Sequence, residues 1–576
     1  MQLDDAAAKT RIAELECALA SQATALAAER AKVARLEQEQ SVLRASHERL
    51  RLELEMLKRR IFLAKAERVD TQQLELEFAG KLKALEQLAG TEDMPKSDDA
   101  AGNPAASTGK KPKARGRRNL AELPLEEKRV EISDPLFEKL VAEGKVERCG
   151  HEVSYKLAWQ RGGMRKLAIA RVKYRTVGAD GETAVEAAPM PKELLWRCVA
   201  AASLLAHIIV DKHCDGLPLF RIEKRLARDG VAIDTGTMSR WLEEIGATFG
   251  ATIIEAMRED ALKNAFCIAT DATGIAIQPM PNKEVGRQPC KRGHFFVQVA
   301  DKDYVFFEYT PKETSAAVGE MFRGFTGYVQ ADAKSVYDIL FRYAADGEPE
   351  GGDAIEGRRQ EVACWVHARR GLWEAATAKD ALAREGLFRI HRIFELDASW
   401  ADRPPDDIKR LRAAHLSLHV ESFLAWAKVE YEKVKHQRGL LRSALGYIER
   451  QADALKRFLD DGRLVLDNNR SERNLRVIAV GRKAWLFCGS DDHAQAAGHL
   501  FSMIATARLH GLDPESYLRD VLRVLPFWAS DRYLELSPKH WLATRARLDS
   551  AELAKEVGAI TVPPAIEATA QQVATG

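Results

Sequence analysis

A chain of 576 residues is long enough for roughly four domains and a sizeable core. Its 87 Lys and Arg nearly balance 85 Asp and Glu, a formal net charge of +2, so bulk charge identifies no partner and only local charge is informative. The eight cysteines include no close pair such as CxxC, which excludes a disulfide framework and a simple zinc finger and suits a reducing cytoplasm. No run of about 18 apolar residues occurs, which argues against a membrane span.

The chain starts with Asp4 and Asp5 and no apolar core, unlike a signal peptide. A seven-residue repeat follows. One seam reads Ile12, Leu19, Leu26, Val33, Gln40, His47, Leu54, Ile61, and the other Leu15, Gln22, Glu29, Leu36, Leu43, Leu50, Leu57. The spacing predicts an oligomerising coiled coil within 1–68, its polar seam residues fixing register at some cost in stability. The alternative is one amphipathic helix packed on the body, although the repeat exceeds the usual helix length.

Residues 69–118 read as a helical stub and basic linker. Lys110, Lys111, Lys113, Arg115, Arg117 and Arg118 put six positive charges into KKPKARGRR, with no acid. Such a run builds no core, and is either a solvated tether or an arm that contacts phosphates without reading sequence. Residues 119–190 alternate as strands do, for example in LAIARVKYRTV. Cys149 and His151 supply too few ligands for zinc.

Residues 191–250 read as helices Leu194–Ile209, Leu219–Arg228 and Thr235–Ile245, the last two separated by a turn over Gly230–Asp234. Helix, turn, helix is a DNA-binding pattern, with Arg240 and Ser239 as candidate contacts, and also a common core arrangement. Residues 251–490 switch to short strands, predicted at Phe266–Thr270, Phe295–Val299, Val305–Tyr309, Gly327–Gln330 and Val362–Val366, with a helix from near His367. Long charged helices interrupt them near 376–460, including His415–Lys435 and Leu440–Phe458. Residues 491–576 read as helices Asp492–Leu509 and Pro514–Leu525, then a tail rich in Ala, Thr and Pro whose final 20 residues are expected to be disordered. The fold class is α/β.

Three acids stand out in this frame. Asp271 follows an apolar run in FCIATDATGIAI, Asp332 follows another in GYVQADAKSVYD, and Glu472 opens a basic helix in NNRSERNLRV. Phosphodiester cleavage is served by two metal ions about 4 Å apart. Mg²⁺ prefers oxygen and takes one or two carboxylates per ion. A minimal site therefore has Asp271 bridging at a strand end, Asp332 beside it, and Glu472 reaching in from a helix. Each acid also has a plain structural reading. An Asp after a strand forms turns, Glu472 can pair with Arg476 one helical turn on, and Asp467 can cap the helix with Asn468 and Asn469 as loop residues. Arg369, Arg370, Arg473, Arg482 and Lys483 surround the acids in sequence and are candidate DNA contacts.

Four longer segments carry a resemblance. CWVHARRGLWEA (Cys364–Ala375), LDNNRSERNLRVIAVGRKAWLFCGS (Leu466–Ser490), TARLHGLDPESYLRDVL (Thr506–Leu522) and HCDGLPLFRIEKRLARDGVAID (His213–Asp234) resemble blocks of transposases of the insertion sequence 66 family. The resemblance implies a ribonuclease-H-like core with a DDE triad of Asp271, Asp332 and Glu472. It implies two Mg²⁺ ions, with Mn²⁺ as a substitute, and double-stranded DNA as substrate, both element ends and target. The implied reaction is nicking at element ends, then attack of the freed 3′ hydroxyl on target DNA. The coiled coil would pair two ends as a homo-oligomer, and accessory proteins from the same element are implied partners. Two departures stand out. Only Cys149 and His151 remain where the family carries a cysteine-rich segment, which argues against zinc. Ala272 and Thr273 follow Asp271, where the family commonly has Glu-Thr. A catalytically inactive coiled-coil protein that bridges DNA on the same fold is the alternative, and a structure-selective nuclease a third reading.

Overall fold

A computed structural model describes residues 120–565, apart from 124, 161–162, 178–182, 196, 280–287, 342–358 and 379. The heptad repeat of 12–61 and the basic run Lys110–Arg118 lie outside the described residues.

The first sheet has four strands: β1 (Glu126–Ile132), β2 (Val146–Gln160), β3 (Gly163–Val177) and β4 (Thr183–Ala187). β2 and β3 form a long antiparallel pair, while β1 (parallel) and β4 (antiparallel) share the other edge of β3. A short helix, α1 (Pro135–Ala142), links β1 to β2. The pairing slips between Arg148 and His151, where Gly150 takes a φ of 114° that L side chains rarely adopt. The Cys-x-His of the sequence is thus part of a β-bulge, and the His151 ring meets Glu131 at 3.1 Å.

Helices α2 (Ala202–His213), α3 (Leu219–Arg228) and α4 (Thr235–Phe249) follow. The predicted helix Leu194–Ile209 is a helix only from Ala202. Upstream, Val199 and Ala201 pair by backbone hydrogen bonds with Leu157 of β2, and this tertiary pairing overrides the apolar run. Gly230, with a φ of 79°, turns the chain between α3 and α4, and Asp234 caps α4 by accepting from the Thr237 amide at 2.9 Å. α4 continues through a wide turn into α5 (Glu255–Asn264).

The second sheet holds β5 (Cys267–Ile277), β6 (Lys291–Ala300), β7 (Tyr304–Thr310), β8 (Tyr328–Ala331) and β9 (Gln360–Ala363), in spatial order β7-β6-β5-β8-β9. β6 is antiparallel to β5 and β7, while β8 and β9 run parallel to β5. The sheet is therefore mixed, and the protein is α/β. β5 is longer than predicted because β6 pairs with it as far as Ile277, so Asp271 lies within the strand and not at its end. The short helix α6 (Ser315–Met321) joins β7 to β8.

Beyond β9, α7 (Trp365–Thr377) leads into α8 (Ala381–Ala398), α9 (Pro405–Leu411), α10 (Ser417–Val434), α11 (Leu440–Arg450) and α12 (Ala452–Lys456). The predicted helix Leu440–Phe458 is interrupted at Gln451. These helices carry their own core of Trp365, Leu372, Ile390, Val420, Phe423 and Leu445. Then come α13 (Asn469–Trp485), α14 (Asp491–Leu509), α15 (Pro514–Val524), α16 (Pro538–Arg545) and α17 (Ser550–Ala554). Leu475 and Ile478 of α13 and Phe501 of α14 cover one face of the second sheet, against Ile275, Val297 and Phe307. Its other face packs Ile268, Phe296, Phe306 and Val329 against Met257, Phe322 and Tyr337. Part of the expected disordered tail is packed, since Val557 and Ile560 are buried; just before it, Glu556 pairs with Arg165 of β3 while accepting from Ser203 at 2.7 Å. Among the described residues, no helix is long and apolar enough to cross a membrane.

Candidate active site

The first two acids are brought level by strand register. In the parallel pairing of β5 with β8, Cys267 faces Tyr328 and Ala269 faces Gln330, a constant offset of 61 residues. The same offset separates Asp271 from Asp332, which directly follows β8. Side chains alternate along a strand, so Asp271 shares a face with Ala269 and Ile275, the face that α13 covers. Glu472 lies in the first turn of α13, one turn before the buried Leu475.

The segment leading into α13 is pinned to the sheet. Gln330 of β8 donates to the Val465 carbonyl at 2.8 Å, and the Trp365 amide donates to Leu466 at 2.9 Å. Buried Asn468 donates its amide to the Thr270 carbonyl, beside Asp271, at 2.8 Å, while its backbone N–H meets the Cys364 sulfur at 3.3 Å. Asn468 is the cap residue of α13, and Asn469 is already helical. Asp467 accepts from the Asn469 amide at 3.0 Å. The predicted cap at Asp467 therefore shifts by one residue.

Asp271 feels both of the other acids. Burial, opposed by a hydrogen bond from the Ala272 amide, together with the negative charges of Asp332 and Glu472, pushes the Asp271 carboxyl up to about 6. Lys334 acts in the opposite direction and stands 3.6 Å from Asp332 and 3.7 Å from Glu313. Glu472 pairs with Arg370 of α7 at 3.3 Å, in place of the expected partner Arg476. Asp332 Oδ1 is buried without a hydrogen-bond partner, and so is Nδ1 of His367 in the first turn of α7. Burial and Arg370 hold the His367 pKa down, against the pull of Asp332 and Glu472. Among the described residues, no three His, Cys, Asp or Glu side chains stand close enough to grip one ion. Asp332 and Glu472 are instead drawn to Lys334 and Arg370.

The predicted DNA contacts divide. Arg369, Arg370, Arg473 and Lys483 are exposed on α7 and α13. Arg482 is not free for DNA. It donates to the Thr273 hydroxyl at 3.1 Å and to the Gly274 carbonyl, tying α13 to β5. Arg240 is exposed near the start of α4, but the rest of that helix is packed against α14. Gly246 lies against the Ala496 backbone, Gly250 against His499, and Ser239 meets His493 at 2.7 Å. The exposed cations of this region are more numerous on α3, where Arg221 and Lys224 flank the Phe220 ring and Arg228 follows.

Lys334, His367 and Asn468 are site residues that the sequence pattern alone does not single out. The signal for Lys334 was its place two residues after Asp332. For Asn468, it was an amide side chain directly before a helix that must dock on a sheet.

Residues 197–496 match the family model described as Transposase IS66 family, and residues 502–538 match the IS66 C-terminal element. The chain belongs to the IS66 transposase family. Similar proteins are known in Sinorhizobium fredii. The uncharacterized protein y4jD is 25% identical over 520 residues, covering 86% of this chain and 94% of that protein. The uncharacterized protein y4qI is 26% identical over 385 residues, covering 65% of this chain and 68% of that one. The IS66 block at 197–496 spans Asp271, Asp332 and Glu472 together, with the helical region between the last two.

Proposed function

We propose that this IS66 family member is a DDE transposase that nicks the ends of its element and joins the freed 3′ hydroxyls to target DNA, acting in the cytoplasm. The observation that carries the reading is the strand register that sets Asp271 level with Asp332, with Glu472 in the first turn of the helix over that face, on a sheet ordered β7-β6-β5-β8-β9 with a single antiparallel inner strand. That order supports a ribonuclease-H-like core.

The donor set suits Mg²⁺ or Mn²⁺. It is all oxygen, it includes an orphaned buried Asp332 oxygen, and it is self-repelling without a cation. Asp271, Asp332 and Glu472 would hold two such ions. When bound, the ions activate the attacking oxygen and stabilise the leaving one. The chain's own groups do the rest. Released from Glu472, Arg370 can neutralise a DNA phosphate beside Arg369 and Arg473. His367, kept neutral by burial, offers a ring nitrogen at the same place. Asn468 fixes the distance between β5 and α13, hence between Asp271 and Glu472. Pairing of two ends falls to the heptad repeat within 1–68, and accessory proteins of the element are candidate partners.

Strand transfer with labelled element ends tests this, with and without Mg²⁺. Asp271→Asn, Asp332→Asn and Glu472→Gln should each abolish joining while end binding persists. Joining that survives in any of the three would refute the triad. Wild-type binding without nicking or joining would leave a DNA-bridging protein.

A further inference from the structure

A pocket lies at the far end of α13 from Glu472. It encloses about 360 Å³, within the roughly 300–1,000 Å³ of small-molecule sites. Its walls are Lys212 of α2, Phe220 of α3, Trp485 and Phe487 around the end of α13, and Leu500 and Phe501 of α14.

Three features mark it as more than a packing gap. The Lys212 ammonium sits 5.4 Å from the centre of the Trp485 ring, and no carboxylate is within ion-pair reach of it among the described residues. Its enclosure lowers its pKa, and its neighbour His213 is buried and pushed down to about 3. A cation over an aromatic face with no carboxylate in ion-pair reach leaves a place for an acceptor group. Next, Leu486 takes φ 65° and ψ −48°, and the Phe487 amide closes back on the Trp485 carbonyl at 2.8 Å. This is a γ-turn of the strained hand, unusual for leucine. It sets Trp485 inward, where the absent side chain of Gly481 leaves room for the indole, and puts Phe487 at the mouth, 36% exposed. Finally, the rim is cationic. Phe220, 48% exposed, lies between Arg221 and Lys224 at 5.9 and 5.8 Å. The polar wall is Ser239 and Glu243, both tied to His493.

We propose that this chamber receives a nucleobase turned out of the DNA duplex, stacked on Trp485 and Phe487 with a base acceptor atom against Lys212. Aromatic faces with a cationic rim are the chemistry that holds unpaired bases, and the cations favour a polyanion over an apolar peptide. The proposal rests on the transposase reading and adds a position to it. Glu472 and Trp485 are 13 residues apart on one helix, about 20 Å at 1.5 Å per residue. With α13 laid along the duplex axis, that span is roughly six base pairs at 3.4 Å per step, which sets the distance of the extruded base from the cut.

The test scans a duplex of the element's terminal repeat, bound by the full chain. At each position a mismatch or an abasic site is introduced and the affinity measured. Turning out a base costs least when it is already unpaired. A mismatch near the sixth pair should therefore tighten binding, and an abasic site there should weaken it roughly five- to 150-fold, the worth of base–aromatic stacking. Trp485→Ala and Phe487→Ala should flatten both effects, and Lys212→Met should reduce them. Phe487, being partly exposed, carries the test even if Trp485→Ala does not fold. A wild-type scan with no position dependence overturns the proposal, and so does a Phe487→Ala scan that keeps it. If Phe487→Ala changes the oligomeric mass while the scan is flat, the chamber holds protein and the proposal falls. Failure of the wild-type chain to bind or cut repeat DNA at all would instead refute the transposase reading.

Discussion

Asp271→Asn should stabilise the DNA-free, metal-free protein, increasingly so as pH rises above about 4. The Asp271 carboxyl titrates near 6 when folded, against an ordinary 3.8, because it is buried and faces Asp332 and Glu472. Folding therefore binds its proton more tightly than the unfolded chain does. The sign follows from linkage: stability tied to this group is full below about pH 4 and is lost as pH rises through 6. A shift of roughly two units is worth about 3 kcal/mol, and partial solvent access brings the expected gain at pH 7.5 to about 2 kcal/mol. With about 2.1 cal/mol/K of unfolding entropy per residue over roughly 450 residues, that gain is a rise of about 2 °C in Tm. The assay is thermal unfolding of wild type and variant at pH 4.5 and 7.5 in EDTA, then in Mg²⁺. The variant should gain roughly three times as much at pH 7.5 as at pH 4.5, and Mg²⁺ should stabilise wild type more than the variant. An equal effect at both pH values would mean that Asp271 is solvated and does not face the other acids, and the site would have to be redrawn.

Three further outcomes are expected. Asn468→Ala removes a buried 2.8 Å hydrogen bond to the Thr270 carbonyl; it should cost about 1–3 kcal/mol in denaturant unfolding and lower strand transfer more than end binding. Gly246→Ala drives a methyl group into the Ala496 carbonyl where α4 crosses α14, so about 1–3 kcal/mol of stability should be lost, read as a lower unfolding midpoint. Arg369→Ala should reduce the salt slope of DNA binding by about one, while Arg482→Ala should lower Tm and leave that slope unchanged, because Arg482 is spent on β5.

The difference between Arg369 and Arg482 shows where sequence reading stops. Both are arginines in basic helical segments, and spacing alone treats them alike. Only the docking of α13 on β5 turns Arg482 inward. Strand positions, by contrast, were readable, since apolar runs of strand length at Phe295–Val299 and Val305–Tyr309 fall inside β6 and β7. Strand length was not, because the extension of β5 past Asp271 is set by its partner β6 and not by its own residues. Likewise Leu194–Val199 is apolar enough for a helix, yet the edge of β2 captures part of it through Leu157.

The 61-residue spacing between Asp271 and Asp332 illustrates the converse. In the sequence it was only a separation. In the sheet it equals the register offset of β5 and β8, so a one-residue slip between these strands would turn one acid to the opposite face. Register is held by apolar partners on both faces, Ile268 and Val329 on one and Ala269 on the other. The carboxylates themselves oppose it by mutual repulsion. The core thus enforces a juxtaposition that electrostatics disfavours, and the proton affinity of Asp271, raised first by burial, is raised further by the two neighbouring acids. Lys334 and Arg370 relieve it in part, each holding one of the other two acids. A divalent ion would have to displace these contacts. The same contacts that steady the resting site therefore compete with metal, and Arg370→Ala should raise metal affinity while weakening the hold on DNA phosphate.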